Sequence, residues 1–313
     1  MLFSAPIVFE PIFMDRVWGG RRLESQFGKR LPTHGRIGES WEVVDRPEAQ
    51  SVVHNEPLRG KTLNELWTGY RGEVFGDGLP DSPRFPLLFK LLDAQERLSV
   101  QVHPPANVAP GLNGEPKTEM WYILDNYGDG DIFAGLRAGV TRDAFEHALH
   151  SGSVQQTIHR IPVRPGDCIF IPSGRIHAIG AGNVIVEVQQ SSDTTYRVFD
   201  WNRLGLDGKM RQLHIDESLK SIDFTDFEPT LQTADGETLV DCPFFHVEKW
   251  DLAQPRQAAP AGDWAIFTVL GGAVKSGGLE FRPGEFFLIP AALEDRLLEP
   301  TAGATSVLRT TIG

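Results

Sequence analysis

Cysteine is scarce in this chain. Cys168 and Cys242 are the only two among 313 residues. They lie far apart without ligand-type spacing, which argues against a disulfide framework and suits a reducing cytoplasm. Cys168 sits in the apolar run Cys-Ile-Phe-Ile-Pro and is expected to be simply buried. Long hydrophobic runs are missing too: no stretch approaches the roughly 18–20 apolar residues of a membrane span. The opening residues, Met-Leu-Phe-Ser-Ala-Pro-Ile, carry no basic segment and no long apolar run, so no signal peptide is expected. There is no block of like charge, and the formal net charge is −12. That balance argues against nucleic acid or an anionic membrane as the main partner. It leaves room for an anionic small substrate, because a local cationic pocket can sit in an acidic protein.

What is present is ordinary in amount. Hydrophobic residues make up 41% and charged residues 23%, enough for a sizeable core. The length fits two domains or one elaborated one. Glycine (32) and proline (22) are scattered and the apolar runs are short, which is the texture of an all-β chain with many turns. Helical patterns are few. Residues 62–75 predict one helix, with Thr62 as N-cap and Leu63, Leu66 and Trp67 on one face. Residues 141–150 predict another, capped by Thr141, with Phe145, Ala148 and Leu149 facing the core. His147 and His150 in that helix read as surface histidines. Residues 207–223 hold a short helix or an irregular crossing.

The strands come thickly at 87–92, 98–103, 119–124, 167–171, 177–179 and 184–190. Turn signals separate them, among them Asn126-Tyr-Gly-Asp-Gly, Arg164-Pro-Gly-Asp and Pro172-Ser-Gly. Gly180-Ala-Gly-Asn is expected to close a tight hairpin that sets His177 beside the strand carrying Glu187. Alternate side chains of a strand share a face. Ser99, Gln101 and His103 therefore point one way while Val100 and Val102 point the other, and Lys117 shares a face with Glu119. Gln101, His103, Glu119 and His177 together suggest a metal site inside a β-barrel. Neutral imidazole and carboxylate suit a borderline divalent ion such as zinc. Taken singly, each histidine would read as a hydrogen-bonded core or rim residue.

Arg-Pro-Gly-Asp, an apolar strand, Ile-Pro and a histidine make up the second half of a cupin-like pattern. Such barrels leave a cavity between two sheets where metal and ligand sit. Phe281-Arg-Pro-Gly-Glu-Phe-Phe-Leu-Ile-Pro echoes Val163-Arg-Pro-Gly-Asp-Cys-Ile-Phe-Ile-Pro. The second copy has Ala291-Ala-Leu-Glu where the first has its histidine. The expected fold is therefore mainly β: a cupin-type jelly-roll barrel with a few short helices, plus a smaller degenerate cupin-like unit. The expected division is a metal-binding catalytic domain at 1–230 and a β domain without metal ligands at 231–313. The latter is expected to bury Phe286, Leu288 and Ile289.

Several long segments, in order, resemble the type I mannose-6-phosphate isomerases, in particular their short bacterial form. These are Arg16-Val-Trp-Gly-Gly, Ile37-Gly-Glu-Ser-Trp-Glu, Leu98-Ser-Val-Gln-Val-His-Pro-Pro, Lys117-Thr-Glu-Met-Trp-Tyr-Ile-Leu, Ile171-Pro-Ser-Gly-Arg-Ile-His-Ala-Ile-Gly and the stretch from Glu187 through Asp200. One departure is Pro105, where many members carry Asp, and it is not a ligand position. The resemblance implies reversible conversion of mannose 6-phosphate to fructose 6-phosphate. It implies one bound divalent ion, Zn2+, on Gln101, His103, Glu119 and His177. It assigns Arg197 to catalysis, Ser99 and Lys117 to the substrate pocket, and Glu187 to the vicinity of the metal.

Moving a proton between C1 and C2 through an enediolate needs ring opening, a base and positive charge near the developing oxyanion. Arginine stays protonated, so Arg197 suits charge stabilisation and Glu187 the proton transfer; the other reading of Glu187 is a residue that orients a ligand. Lys117 is expected to meet the phosphate as a point charge, with Ser99 adding a hydroxyl; the other reading of Lys117 is a partner for a cavity carboxylate. Two further readings stand beside this one: an isomerase of another or unphosphorylated aldose, and a sugar-binding or regulatory cupin without turnover. The expected enzyme is cytoplasmic and a monomer or homodimer.

Overall fold

The computed structural model describes residues 2–313. The chain lays down β1 (Ile12–Gly20), β2 (Ile37–Val43), the small ladder β3 (Asp45–Arg46) and β4 (Ala49–Gln50), β5 (Leu87–Ala94), β6 (Val100–Val102), β7 (Glu119–Asn126), β8 (Asp131–Leu136), β9 (Ile158–Pro162), β10 (Cys168–Ile171), β11 (His177–Ile179), β12 (Asn183–Gln190) and β13 (Tyr196–Phe199). A six-stranded sheet ordered β1-β2-β5-β12-β7-β10 faces a five-stranded sheet ordered β13-β6-β11-β8-β9. The two sheets form a cupin-like jelly roll and do not join into one closed hydrogen-bonded barrel.

Strand β5 is buried along its whole length. Its Leu87, Phe89 and Leu91 pack away from the jelly-roll interior, against Leu66, Trp67 and the distant Leu288. A strand covered on both faces reads as a continuous apolar run. The two charges that interrupt this one, Lys90 and Asp93, therefore need partners. Between the sheets, Leu92, Ile123, Ile132, Ile169, Ile179 and Ile185 form an apolar core, each worth about 1.5–3 kcal/mol of burial. On the outer face of the five-stranded sheet, Val100, Val102 and Val198 pack with Phe145. The expected alternation of Gln101 inward and Val100 and Val102 outward is what the strand does.

The helix expected over 62–75 is two helices, α1 (Leu63–Gly69) and α2 (Arg71–Phe75), broken at Tyr70, whose φ of −135° is not helical. Thr62 caps the first as expected: its hydroxyl accepts from Glu65 N at 3.1 Å while Glu65 accepts from Thr62 N at 2.7 Å. The break lets Trp67 and Trp264 each pack edge to face on Phe75 and Phe85, at centroid separations of 5.0 to 5.9 Å. That packing outweighs one more turn of helix propensity. Residues Arg142–Ser151 form α3, capped by Thr141, with Phe145 buried and His147 and His150 exposed. A further short helix, Ile215–Ser221, is α4.

The hairpin expected at 180–183 does not form. Strand β11 pairs with β6 and β8, while β12 pairs with β5 and β7. The turn therefore carries the chain from one sheet to the other. Gly180 lies so close to Asp131 that a Cβ would meet its carboxylate, and Gly182 takes φ +91°. Backbone contact with Asp131 and Ala94 directs the crossing. His177 and Glu187 consequently face each other across the interior instead of lying side by side.

The remaining strands are β14 (Thr238–Asp241), β15 (Phe245–Leu252), β16 (Arg256–Gln257), β17 (Ala265–Gly271), β18 (Val274–Ser276), β19 (Leu279–Phe281), β20 (Phe286–Ile289), β21 (Leu297–Pro300) and β22 (Thr305–Ile312). They form sheets ordered β14-β15-β22-β17-β20 and β16-β21-β18-β19. The internal repeat is structural. Gly166 and Gly284 both take positive φ, Asp167 accepts from Arg164 N at 2.8 Å, and Glu285 accepts from Arg282 N at 2.7 Å. Each of these turns launches the end strand of its sheet, β10 and β20. Phe286, Leu288 and Ile289 are buried, as expected. The two halves share one core, and Ile7 near the N-terminus bridges to Leu288.

Candidate metal centre and active site

His103 follows β6, His177 opens β11 and Glu119 opens β7. Strand ends from both sheets thus deliver three side chains to one point. One ligand atom from each lies within 4.8 Å of the others. His103 Nε2 is 3.5 Å from Glu119 Oε2, and His177 Nε2 is 3.5 Å from Glu119 Oε1. Gln101 joins them, its amide nitrogen 3.2 Å from His177 Nε2.

The outer hydrogen bonds settle which imidazole nitrogens face inward. His103 Nδ1 lies 2.8 Å from Thr194 O, and His177 Nδ1 lies 2.9 Å from Arg175 O. A carbonyl can only accept, so each Nδ1 carries the proton and each Nε2 keeps its lone pair toward the centre. His103 Nε2 and Glu119 Oε1 are buried without a hydrogen-bond partner. Burial, and then the Lys117 ammonium, lower His103 to about 4, and burial lowers His177 as well. Burial alone would raise Glu119, but Lys117 and His103 overcome it and hold the carboxyl well below its usual range. Near neutral pH the centre is two neutral imidazoles, a carboxylate and an amide. Orphaned inward-facing donor atoms of this kind fit a divalent cation.

The centre opens onto a cavity of about 310 Å³. Its walls are charged. Lys117 Nζ is 2.8 Å from Glu119 and 3.6 Å from Glu187, and Lys90 Nζ is 3.3 Å from Glu187. Glu187 and Lys90 are register partners on β12 and β5, and Glu187 also pairs with Trp121 on β7. Beyond Lys90, Glu39 accepts two bonds from Arg16 at 3.0 and 3.1 Å and one from Trp41 Nε1 at 2.7 Å. Burial raises Glu39, but Lys90 and Arg16 prevail and bring it down to about 2. Arg197 on β13 is the register partner of Gln101, which in turn pairs with His177. The Arg197 Nη1 donates to Gln212 O at 2.9 Å, and its buried Nε has no partner. Burial first, and then Arg211, lower its pKa.

Every residue singled out in the sequence reaches this region: Ser99, Gln101, Lys117, Glu187 and Arg197 line the cavity. Lys117, read from sequence as a phosphate contact or as the partner of a cavity carboxylate, pairs with Glu119 and Glu187. Arg16, Glu39, Lys90, Asp193 and Arg211 also line it and were not assigned from sequence. The lone lysine inside Leu87-Leu-Phe-Lys-Leu-Leu was the readable signal, since a charge in a buried strand demands a counter-charge.

Imidazole and carboxylate donors converging at the strand ends of a cupin-like jelly roll define the site class of a metal-dependent cupin enzyme. The family model for the phosphomannose isomerase type I catalytic domain matches residues 8–129. The chain is 37% identical to mannose-6-phosphate isomerase ManA of Bacillus subtilis over 95% of this chain and 96% of that one. It is 36% identical to a Streptococcus mutans mannose-6-phosphate isomerase over 91% and 94%. The crystal structure of a Bacillus subtilis mannose 6-phosphate isomerase superposes with a TM-score of 0.86 at 33% identity, covering 98% of this chain and 100% of that one. The chain belongs to the type I phosphomannose isomerase family.

Proposed function

We propose that the chain interconverts mannose 6-phosphate and fructose 6-phosphate, using one divalent ion, Zn2+, held by Gln101, His103, Glu119 and His177. The observation that carries this reading is the convergence of the His103, Glu119 and His177 ligand atoms within 4.8 Å, beside a charged cavity, in a chain of this family. When bound, the ion would supply a positive charge that polarises the sugar oxygens at C1 and C2.

The protein's own residues do the rest. Glu187, opposite His177 across the interior, moves the proton between C1 and C2. Lys90 and Lys117 flank it at 3.3 and 3.6 Å and hold its carboxylate in place. Arg197 stabilises the charge that develops on the enediolate, a role for a group that stays cationic throughout. Ser99 and Lys117 bind the substrate, Lys117 meeting the phosphate as a point charge and Ser99 adding a hydroxyl. The catalytic unit is 1–230, and 231–313 is a metal-free unit that buries apolar surface. Two unpaired cysteines support a cytoplasmic enzyme, working as monomer or homodimer. Among the described residues no helix is long and apolar enough to cross a membrane.

The test is a coupled assay on mannose 6-phosphate and on free mannose, with elemental analysis of the same preparation. Turnover of mannose 6-phosphate with near one zinc per chain is expected. Turnover confined to another aldose, or none at full metal loading, overturns the assignment.

A further inference from the structure

The five-stranded sheet carries a second cavity, of about 720 Å³ against about 310 Å³ for the one at the metal centre. Phe133 and Ile158 line it and belong to the apolar cluster on the outer face of the sheet, with Val100 and Val102. The cavity therefore lies across the sheet from the inward-facing Gln101 and His177. Strand β9, the free edge of that sheet, supplies His159 and Arg160 to its wall.

Donors crowd this cavity and acceptors are few. Arg97, Arg137 and His159 line it, and none of these side chains makes an ion pair or a hydrogen bond among the described residues. The amides of Gln155 and Gln156 are equally free. Arg160 spends only its Nε, on Asp131, and keeps both Nη nitrogens. The neighbouring carboxylates are taken: Glu96 by Arg36 and Asp226 by Arg175. Glu228, the one carboxylate in the lining, accepts from Ala138 N at 3.1 Å. One exposed arginine without a partner is ordinary. Three guanidiniums with free donors on one concave wall make a local positive potential that concentrates anions, here in a chain of net charge −12.

The cations are also held in place. The Arg97 guanidinium lies 5.3 Å from the Trp201 ring and 5.9 Å from the Phe133 ring. Such contacts use the faces of the rings and leave the N–H edge of the guanidinium for another partner. The Arg97 carbonyl accepts from Arg203 Nη1, and Leu98 O accepts from Trp201 Nε1 at 2.6 Å, so backbone and side chain are tied to one turn. At the other end, Arg137 N donates to Thr157 O at 2.9 Å. Phe133, under Arg97, is the register partner of Arg160. The two ends thus stand three residues apart along the β9 chain, roughly 10 Å, with Arg160 between them. Guanidinium forks match the oxygens of phosphate and carboxylate.

We propose that this groove is a second ligand site, separate from the substrate cavity, for an elongated small molecule carrying an anionic group at each end. One end meets Arg97 and the other Arg137, with Arg160 and the two glutamine amides along its length.

The experiment is calorimetric titration of two probes with the same six-carbon spacer, hexane-1,6-diol bisphosphate and adipate, into the metal-loaded protein. Wild type takes up one probe per chain, and saturating mannose 6-phosphate leaves that binding unchanged. The tighter probe assigns the anion as phosphate or carboxylate. Arg97→Gln and Arg137→Gln each weaken binding roughly ten- to a hundredfold, the loss of a charge-assisted hydrogen bond, and added salt weakens it further. Both arginines are exposed, so either variant keeps the fold. Uptake of neither probe overturns the proposal, as does displacement of the probe by mannose 6-phosphate. Affinities within twofold of wild type in both variants overturn it too.

Discussion

Replacing Glu39 with glutamine should cost stability in a way that depends on pH. Glu39 is buried between Arg16 and Lys90, which hold its carboxyl at about 2 against an ordinary 4.5. The difference, 4.5 − 2, is about 2.5 pKa units, or on the order of 3 kcal/mol at roughly 1.4 kcal/mol per unit. The folded pKa is depressed, so this contribution is complete above pH 4.5 and drains away as pH falls toward 2. Glu39→Gln should therefore be less stable than wild type by about 3 kcal/mol at pH 7, since the amide leaves the half-buried Arg16 without its paired carboxylate and removes the attraction between Glu39 and the buried Lys90. The gap should shrink by roughly 2 kcal/mol by pH 3, where the wild-type carboxyl takes up a proton on unfolding and the glutamine does not. The measurement is urea unfolding of both proteins from pH 7 to pH 3, with chelator present so that metal loss is common to both. Other carboxylates titrate equally in the two proteins and cancel in the difference. A gap that stays constant across this range would show that Glu39 acts through packing alone, and would refute the electrostatic account of the Arg16–Glu39–Lys90 row.

Other outcomes follow from the same geometry. His103→Ala and His177→Ala should each lose most bound metal by elemental analysis, and activity with it; full metal and full activity in both would end the ligand assignment. Arg197→Ala should lower kcat roughly 10²–10³-fold while changing KM less, and an unaltered kcat would make Arg197 a binding or structural residue. Burial, aided by Asp167, pushes the Cys168 thiol up to about 12. Alkylation followed by mass spectrometry near pH 8 should therefore modify Cys168 only after unfolding; prompt labelling in the native protein would contradict its burial. Phe145→Ala should remove about 3–5 kcal/mol, because the ring is fully buried under the five-stranded sheet; a loss under 1 kcal/mol in urea unfolding would mean that α3 is not part of that core.

Much of the site could be read from local pattern. Period-two alternation placed Gln101 opposite in facing to Val100 and Val102, and Glu119 with Lys117, because strand geometry forces successive side chains to opposite faces. The repeat of Arg-Pro-Gly-acid and an apolar strand was legible because its turn is local: one positive-φ glycine and one side-chain cap make it in both copies. The break at Tyr70 was not legible. It serves contacts with Phe85 and Trp264, the latter from the far end of the chain.

The sequence by itself determined which residues carry chemistry: imidazoles at strand ends, a carboxylate two places from a lysine, one lysine inside an apolar strand. These follow from residue type and short-range periodicity, which need no partner to exist. Only the tertiary structure decided which residues meet. It turned the 180–183 segment into a crossing between sheets, so that Glu187 faces His177 across the interior. It engaged Lys117 with two carboxylates and gathered Arg197, Arg203 and Arg211 around Asp200. The physical reason is that pairing of buried charges depends on distance in space, and sheet topology sets that distance without leaving a trace in sequence separation.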